Sequence, residues 1–152
     1  MLGLPSVVRT NNGLRLIYIA CLAVVTPLGF ATKFYSGPGA WELSSSAGGL
    51  LYVLFWMLIV CVVAPTLSSR SAATGVFLVT CALEILQLWH PALLQRIRST
   101  FVGQAILGDT FDWSDFPYYA AGALTGYLLV KRVQSKNPGT PTEAITTQTR
   151  PL

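Results

Sequence analysis

Long apolar runs separated by short polar segments dominate this sequence. Residues 14–31, 48–64 and 71–89 are three such runs, and each is close to the roughly 20 residues that a helix needs to cross a bilayer. A shorter run follows Ser114 or Asp115 and ends near Val130. The pattern predicts an all-α membrane protein with four transmembrane helices.

The connection between the third and fourth runs, residues 91–114, has a helical pattern of its own. Apolar residues recur at helical spacing, with polar residues such as Arg96 and Arg98 on the opposite side. The apolar positions are Leu93, Leu94, Ile97 and Phe101. Gly103 and Gly108 break the pattern. It predicts an interfacial amphipathic helix, and the apolar residues 105–107 leave a re-entrant segment as the alternative.

The domain organisation follows from length and composition. A chain of 152 residues has the length of one domain, and residues 1–133 contain all four predicted helices. Residues 134–152 are rich in Pro and Thr and show no apolar periodicity. They are predicted to form a disordered cytoplasmic tail.

Charge and cysteine content exclude several classes of function. Charged residues make up 11% of the chain, against about 25% in an average soluble domain. The basic residues lie at the ends of apolar runs rather than on one helix face, so no nucleic-acid partner is predicted. Cys21, Cys61 and Cys81 each lie inside an apolar run, and no metal or cofactor is predicted.

The basic residues also predict the orientation in the membrane. With four spans, one side carries both termini and six basic residues near the membrane, and the other side carries three. The six are Arg9, Arg15, Arg70, Lys131, Arg132 and Lys136, and the three are Lys33, Arg96 and Arg98. This bias predicts a multi-pass membrane protein with both termini in the cytoplasm. Trp41, Trp89 and Trp113 would then line the outer interface.

One stretch, residues 84–126, concentrates the polar chemistry. Glu84 lies inside the third run, where an ionised side chain costs about 2.5 kcal/mol or more unless it meets a partner or water. Gln87 shares its helix face, and His90 marks the exit from the bilayer. We expect the Glu84 carboxylate to face the last helix or the 91–114 connection and not lipid.

Other polar residues of the stretch are expected on the same side of the membrane. The candidate binding residues are Glu84, Gln87, His90, Arg96, Arg98, Asp112, Trp113, Asp115 and Tyr119. Glu84 would pair with Arg96 or Arg98, or would hold a proton because burial favours its neutral form. Asp112 and Asp115 flank the last helix start, where its positive end stabilises carboxylates. Their spacing differs from that of a calcium loop, and no catalytic nucleophile motif is present.

Two glycines of the last run have a separate implication. Gly122 and Gly126 form a Gly-x-x-x-Gly motif, which lets a second helix approach closely. A homo-oligomer formed through these two glycines is one prediction of the motif.

Four features of this stretch resemble a small bacterial membrane-protein family, domain of unknown function 2809. They are the Glu-x-x-Gln pair, the arginine-bearing connection, Trp113-Ser114-Asp115 and the glycine motif. More distantly, they resemble VanZ-like proteins, which are linked to teicoplanin resistance. The resemblance spans residues 14–130 and implies a set of family positions. These are Glu84, Gln87, Arg98, Gly108, Trp113, Asp115 and Tyr119. It implies a location in the bacterial inner membrane but no reaction. Tyr118-Tyr119 replaces an asparagine usual in VanZ-like proteins.

Three functions fit this pattern. The leading one is a non-enzymatic membrane protein that binds a lipid headgroup or a lipid-linked cell-wall precursor in its outer half. There Arg96 and Arg98 would meet phosphate, while Glu84 and Gln87 would orient polar groups. The alternatives are a small proton-coupled transporter with Glu84 as relay, and an enzyme acting on a lipid-linked sugar with Glu84 or Asp115 as general base.

Overall fold

A computed structural model describes residues 6–107 and 111–137 of the chain. These residues form six helices and no β-strand. The helices are α1 (Ser6–Phe34), α2 (Ala40–Val63), α3 (Ser69–Leu86), α4 (Ala92–Arg98), α5 (Phe101–Leu107) and α6 (Asp115–Lys136). Four are long, and the short helices α4 and α5 occupy the connection between α3 and α6. The all-α prediction is therefore confirmed.

Three of the long helices are suited to cross a membrane by length and composition. The spans are Asn11–Phe34, Ser46–Val63 and Ser69–Leu86, with mean hydropathies of 1.9, 2.3 and 1.3. They correspond to the three long runs of the sequence. Helix α6 is more polar, because Asp115 begins it and Lys131, Arg132 and Lys136 follow its apolar part. It is not among the candidate spans of the described residues, so a fourth span stays a prediction.

Helix α2 is the centre of the bundle. It packs against α1 and α6 along most of its length and more sparsely against α3, and α6 also packs against α3. The largest fully buried side chains include Tyr18, Val53, Met57, Leu58, Cys61 and Val130. The core thus lies where α1, α2 and α6 meet, and it joins helices that are distant in sequence.

Gly122 and Gly126 allow α6 to approach α2 closely. A Cβ on Gly122 would lie 2.6 Å from the carbonyl oxygen of Leu50, and one on Gly126 would lie 2.5 Å from the Met57 sulfur. Both glycines are buried. The motif therefore serves packing within the chain, where α2 already covers it. Association of two copies stays a prediction.

The start of α2 differs from the predicted boundary. Residues 33–47 were expected to form a loop, but the helix begins at Ala40. Gly39 adopts a left-handed backbone with φ 72°, and its carbonyl accepts the Leu43 N–H at 2.9 Å. The short segment after α1 is therefore enough to reverse the chain, and α2 extends beyond its apolar part.

The connection after α3 is helical, as predicted, but the break lies elsewhere. Gly103 was expected to end the helix, yet it lies inside α5, and the chain breaks at residues 99–100. The Gly103 N–H donates to the Thr100 hydroxyl at 3.0 Å, which starts the new helix. A side chain on Gly103 would overlap the Ile97 carbonyl, so the glycine serves close packing between the two short helices.

Helix α6 also runs past the predicted domain boundary. It continues to Lys136, so residues 134–136 are helical rather than the beginning of a tail. The Gln134 amide donates to the Leu67 carbonyl at 2.8 Å and ties α6 to the connection between α2 and α3. Residues 138–152 lie outside the described residues.

Candidate functional site

Glu84 is the centre of a buried polar network at the end of the bundle where α3 finishes and α6 begins, hereafter the Glu84 end. The residue is 1% exposed. Its Oε1 accepts the backbone N–H of Asp112 at 2.9 Å. Its Oε2 accepts the Tyr119 hydroxyl at 2.7 Å and the Gln87 amide at 3.1 Å. The carboxylate therefore faces α6 and the preceding loop, as expected from the sequence, and joins both to α3.

The donors around Glu84 come from three different positions in the chain. Gln87 is the C-cap residue directly after α3, Tyr119 lies in the second turn of α6, and Asp112 lies in the loop before α6. Three donors directed at one carboxylate satisfy it where it cannot reach bulk water. The network therefore has a structural role that needs no ligand.

Gln87 completes the same face of α3. It is 5% exposed and ends the helix. Its amide nitrogen donates to Glu84, whereas its carbonyl oxygen has no hydrogen-bond partner among the described residues. Gln87 thus orients the carboxylate from within the protein.

Arg98 is buried but does not pair with Glu84. It is 6% exposed, and its guanidinium donates to the Leu86 carbonyl at 3.0 Å and to the Trp89 carbonyl at 3.2 Å. These carbonyls lie at the C-terminus of α3, where unsatisfied acceptors carry partial negative charge. The predicted placement of Arg98 on the polar face of an amphipathic helix is wrong, because this arginine turns inward to cap α3.

Asp112 and Asp115 occupy the start of α6, as the sequence predicted. The backbone N–H of Asp112 donates to Glu84, and the side-chain carboxylate of Asp112 accepts the Ser114 N–H at 2.8 Å. That hydrogen bond lowers the pKa of Asp112 below its usual value. Asp115 lies half-buried in the first turn of α6.

An aromatic cluster covers this loop. Trp113 stacks on Phe116 with ring centroids 5.6 Å apart and meets the Phe111 ring edge-on at 5.0 Å. Trp113 is nevertheless 75% exposed. A large exposed indole at a helix start is typical of a membrane–water interface.

Sequence reasoning missed Tyr52. Its hydroxyl donates to the Ile106 carbonyl at 2.6 Å, and its ring lies 6.4 Å from that of Tyr119. It therefore attaches α5 to α2 beside the network. The signal was a single Tyr in the run 48–64, because a phenol in an apolar segment usually has a hydrogen-bond partner.

Five of the nine predicted site residues make no hydrogen bond to Glu84 among the described contacts: His90, Arg96, Arg98, Trp113 and Asp115. His90 and Arg96 are exposed on the surface of the Glu84 end. Among the described residues, no group of three His, Cys, Asp or Glu side chains is placed to hold a metal ion. The site therefore has two parts, a buried network around Glu84 and an exposed surface around Arg96.

Together, the fold and the site define an α-helical protein with three helices suited to a membrane and a buried carboxylate network at one end. The chain belongs to the family described as protein of unknown function (DUF2809), whose model matches residues 40–123. The matched segment runs from the start of α2 into α6 and so includes Glu84 and Tyr119. Comparison with curated proteins and with solved structures gave no match. The more distant VanZ-like resemblance stays a prediction.

Proposed function

We propose that this chain is a multi-pass protein of the bacterial inner membrane that binds a lipid headgroup, or a lipid-linked cell-envelope precursor, at its Glu84 end. In this proposal it catalyses no reaction. Helix α6 is the fourth span, both termini are cytoplasmic and the Glu84 end faces outward.

The packing of α6 supports a fourth span. It lies against α2 and α3, and its Tyr119 bonds to Glu84 near the end of α3. Its opposite end carries Lys131, Arg132 and Lys136, on the side where α3 begins. The apolar part, about 15 residues, covers roughly 22 Å, and a short span is tolerated by local thinning of the bilayer.

The single observation that carries the binding proposal is a set of exposed apolar and aromatic side chains at the Glu84 end, hereafter the rim, on the segment that carries His90 and Arg96 and in the loop before α6. The rim consists of Trp89 at 64% exposed, Leu93 at 71%, Ile97 at 41%, Phe101 at 58%, Val102 at 64% and Trp113 at 75%. Such residues partition into the interface between headgroups and acyl chains. A guanidinium there can meet a phosphate, for which its planar donor fork is suited.

The direct contacts in this proposal differ from those expected from sequence. Glu84 and Arg98 face inward, and their hydrogen bonds already join α3 to α6 and close the end of α3. They act by holding the rim in position. Contact with the phosphate falls to Arg96, with His90 as a second polar group.

The two alternative functions, a proton-coupled transporter and an enzyme acting on a lipid-linked sugar, have weaker support. A proton relay through Glu84 needs a path to water, and a general base needs access to a substrate. Glu84 is 1% exposed and accepts three donors. The binding role is therefore the better match to this geometry.

Native mass spectrometry of the full-length chain, purified with its membrane lipids, tests the proposal. We expect a retained phosphate-bearing lipid whose occupancy falls about tenfold in Arg96→Gln, because one charge-assisted contact is lost. Arg132→Gln, at the other end of the bundle, is the matched control and should leave that occupancy unchanged. Equal occupancy in Arg96→Gln contradicts the assignment, and turnover of the retained lipid identifies an enzyme instead.

A further inference from the structure

A groove between α3 and α6 opens onto the surface of the bundle. It has a volume of about 390 Å³ and is lined by Ala73, Phe77, Ala120 and Leu124, with Arg70 and Tyr127 at one end. The alanines leave the space, because neither helix has a large side chain at those positions. The groove lies toward the end where α3 begins and α6 finishes, hereafter the Arg70 end, and is separate from the Glu84 network.

Two cations flank this end of the groove. Arg70 lines it, and the Lys131 ammonium lies 5.5 Å from the centroid of the Tyr127 ring. Arg70 and Lys131 are both exposed. Their positive charges therefore lie beside an aromatic ring where the apolar groove meets the end of the helices.

The length of the groove matches part of one leaflet. From Arg70 to Phe77 along α3, and from Ala120 to Tyr127 along α6, the helices rise about 10 Å. Half of a hydrocarbon core is about 15 Å deep. An acyl chain lying in the groove would thus have its headgroup at the level of the two cations.

A second groove in the molecule provides a comparison. It lies between α2 and α3, has a volume of about 270 Å³ and is lined by residues such as Trp56, Val60, Val76 and Val79. No charged side chain lines it. An apolar chain alone would suit both grooves equally, so the basic end distinguishes the α3–α6 groove.

We propose that the α3–α6 groove binds one anionic phospholipid. The phosphate lies between Arg70 and Lys131, next to the Tyr127 ring, and one acyl chain lies along Ala73, Ala120 and Leu124. Basic sites between helices attract anionic headgroups, and each Lys or Arg near the surface contributes to the attraction. The lipid belongs to the leaflet opposite the Glu84 end.

Lipid titration monitored by native mass spectrometry of the full-length chain tests this site. The chain is purified in neutral detergent and titrated with phosphatidylglycerol or with phosphatidylcholine. We expect one phosphatidylglycerol to bind at least about tenfold more tightly than phosphatidylcholine. The double variant Arg70→Gln/Lys131→Gln should lose that preference.

Two further variants separate the groove from general surface charge. Arg132→Gln/Lys136→Gln removes two cations from the same end but not from the groove lining, and should keep the preference. Ala120→Phe fills the groove from its exposed side without changing charge, and should weaken phosphatidylglycerol binding several-fold. Unchanged thermal stability without added lipid verifies that each variant is folded.

Three results overturn the proposal. One is an equal loss in the Arg132→Gln/Lys136→Gln control, which indicates nonspecific charge. Another is full binding in Ala120→Phe, which places the lipid outside the groove. The third is a second copy of the chain that occupies the groove and is displaced by Ala120→Phe. Since Arg96→Gln does not touch this groove, failure here leaves the binding proposal for the Glu84 end intact.

Discussion

The two ends of the bundle hold their ionisable side chains in opposite ways. At the Glu84 end, Glu84 and Arg98 are 1% and 6% exposed, and both bond to groups of the protein. At the Arg70 end, Arg70 and Lys131 are exposed beside an apolar groove. Burial thus separates charges that hold the fold together from charges that remain at the surface.

The comparison changes how an ionisable residue in a membrane helix is interpreted. Such a residue is by default a candidate functional group. Glu84 instead accepts donors from α3, α6 and the loop before α6, so its first role is to fix those elements relative to each other. Removing its contacts should therefore change stability before it changes binding.

The largest effect is expected for Glu84→Ala. This change leaves the Tyr119 hydroxyl, the Gln87 amide and the Asp112 N–H without their acceptor, and it opens a cavity. We expect a loss of about 3 kcal/mol or more in the free energy of unfolding, measured by denaturation in detergent micelles.

Two further variants are the controls for the Glu84→Ala prediction. Glu84→Gln keeps the shape and one acceptor, so it should lose only about 1–2 kcal/mol. Glu42→Ala removes an exposed carboxylate and should stay within about 0.5 kcal/mol of the parent. Equal stability of Glu84→Ala and the parent would show that the network does not hold α6.

A smaller loss in the free energy of unfolding, about 2 kcal/mol, is expected for Arg98→Ala. The variant exposes the Leu86 and Trp89 carbonyls at the end of α3 without a donor. Arg96→Ala, in the same short helix, is the matched control and should cost less than about 0.5 kcal/mol. The same denaturation assay ranks the two, and a larger loss for Arg96→Ala contradicts the inward placement of Arg98.

Tyr119→Phe should lower the free energy of unfolding by about 1.5 kcal/mol. It removes only the hydroxyl that donates to Glu84 at 2.7 Å, and a hydrogen bond to a charged group is worth about that much. Tyr118→Phe changes the neighbouring phenol in the same helix and should be close to neutral. If both variants behave alike, the Tyr119 hydroxyl does not stabilise the fold.

The smallest effect is a pH dependence through Asp112. Its folded-state pKa lies below the ordinary value because the Ser114 N–H binds the ionised carboxylate. Its contribution to stability is therefore fully present above the ordinary pKa of about 4 and is lost as pH falls through the lowered folded-state pKa. Asp112→Asn should flatten this part of an unfolding profile measured against pH. An unchanged slope below pH ~4 would contradict the assignment.

Hydrophobic patterning was enough to predict the α-helical class and the three long candidate spans, because each run is long and contains at most one charged residue. It also placed Glu84 and Gln87 on one inward face, since the spacing of three fixes that relation. The predicted start of α2 was wrong, because Gly39 permits a tight reversal of the chain and residues 40–47 can then be helical.

The partners within the site were less predictable. Arg98 looked like the natural partner of Glu84 by charge, but the helix-terminal carbonyls of α3 accept its guanidinium instead. Tyr52 contacts α5 across more than fifty residues of chain, and Asp112 meets Glu84 through its backbone N–H rather than its side chain. The lone Tyr52 in an apolar run indicates a hydrogen-bond partner but not which residue it is, and a backbone donor such as that of Asp112 has no signature in the side-chain sequence.

A double-mutant cycle between Glu84→Ala and Tyr119→Phe tests most directly the central claim that Glu84 joins α3 to α6. The free energy of unfolding is measured for the parent, both single variants and the double variant under the same detergent conditions. We predict a coupling of about 1 kcal/mol or more, because each single change removes the same hydrogen bond. Additive effects within about 0.3 kcal/mol would contradict the claim and would show that the two side chains act independently.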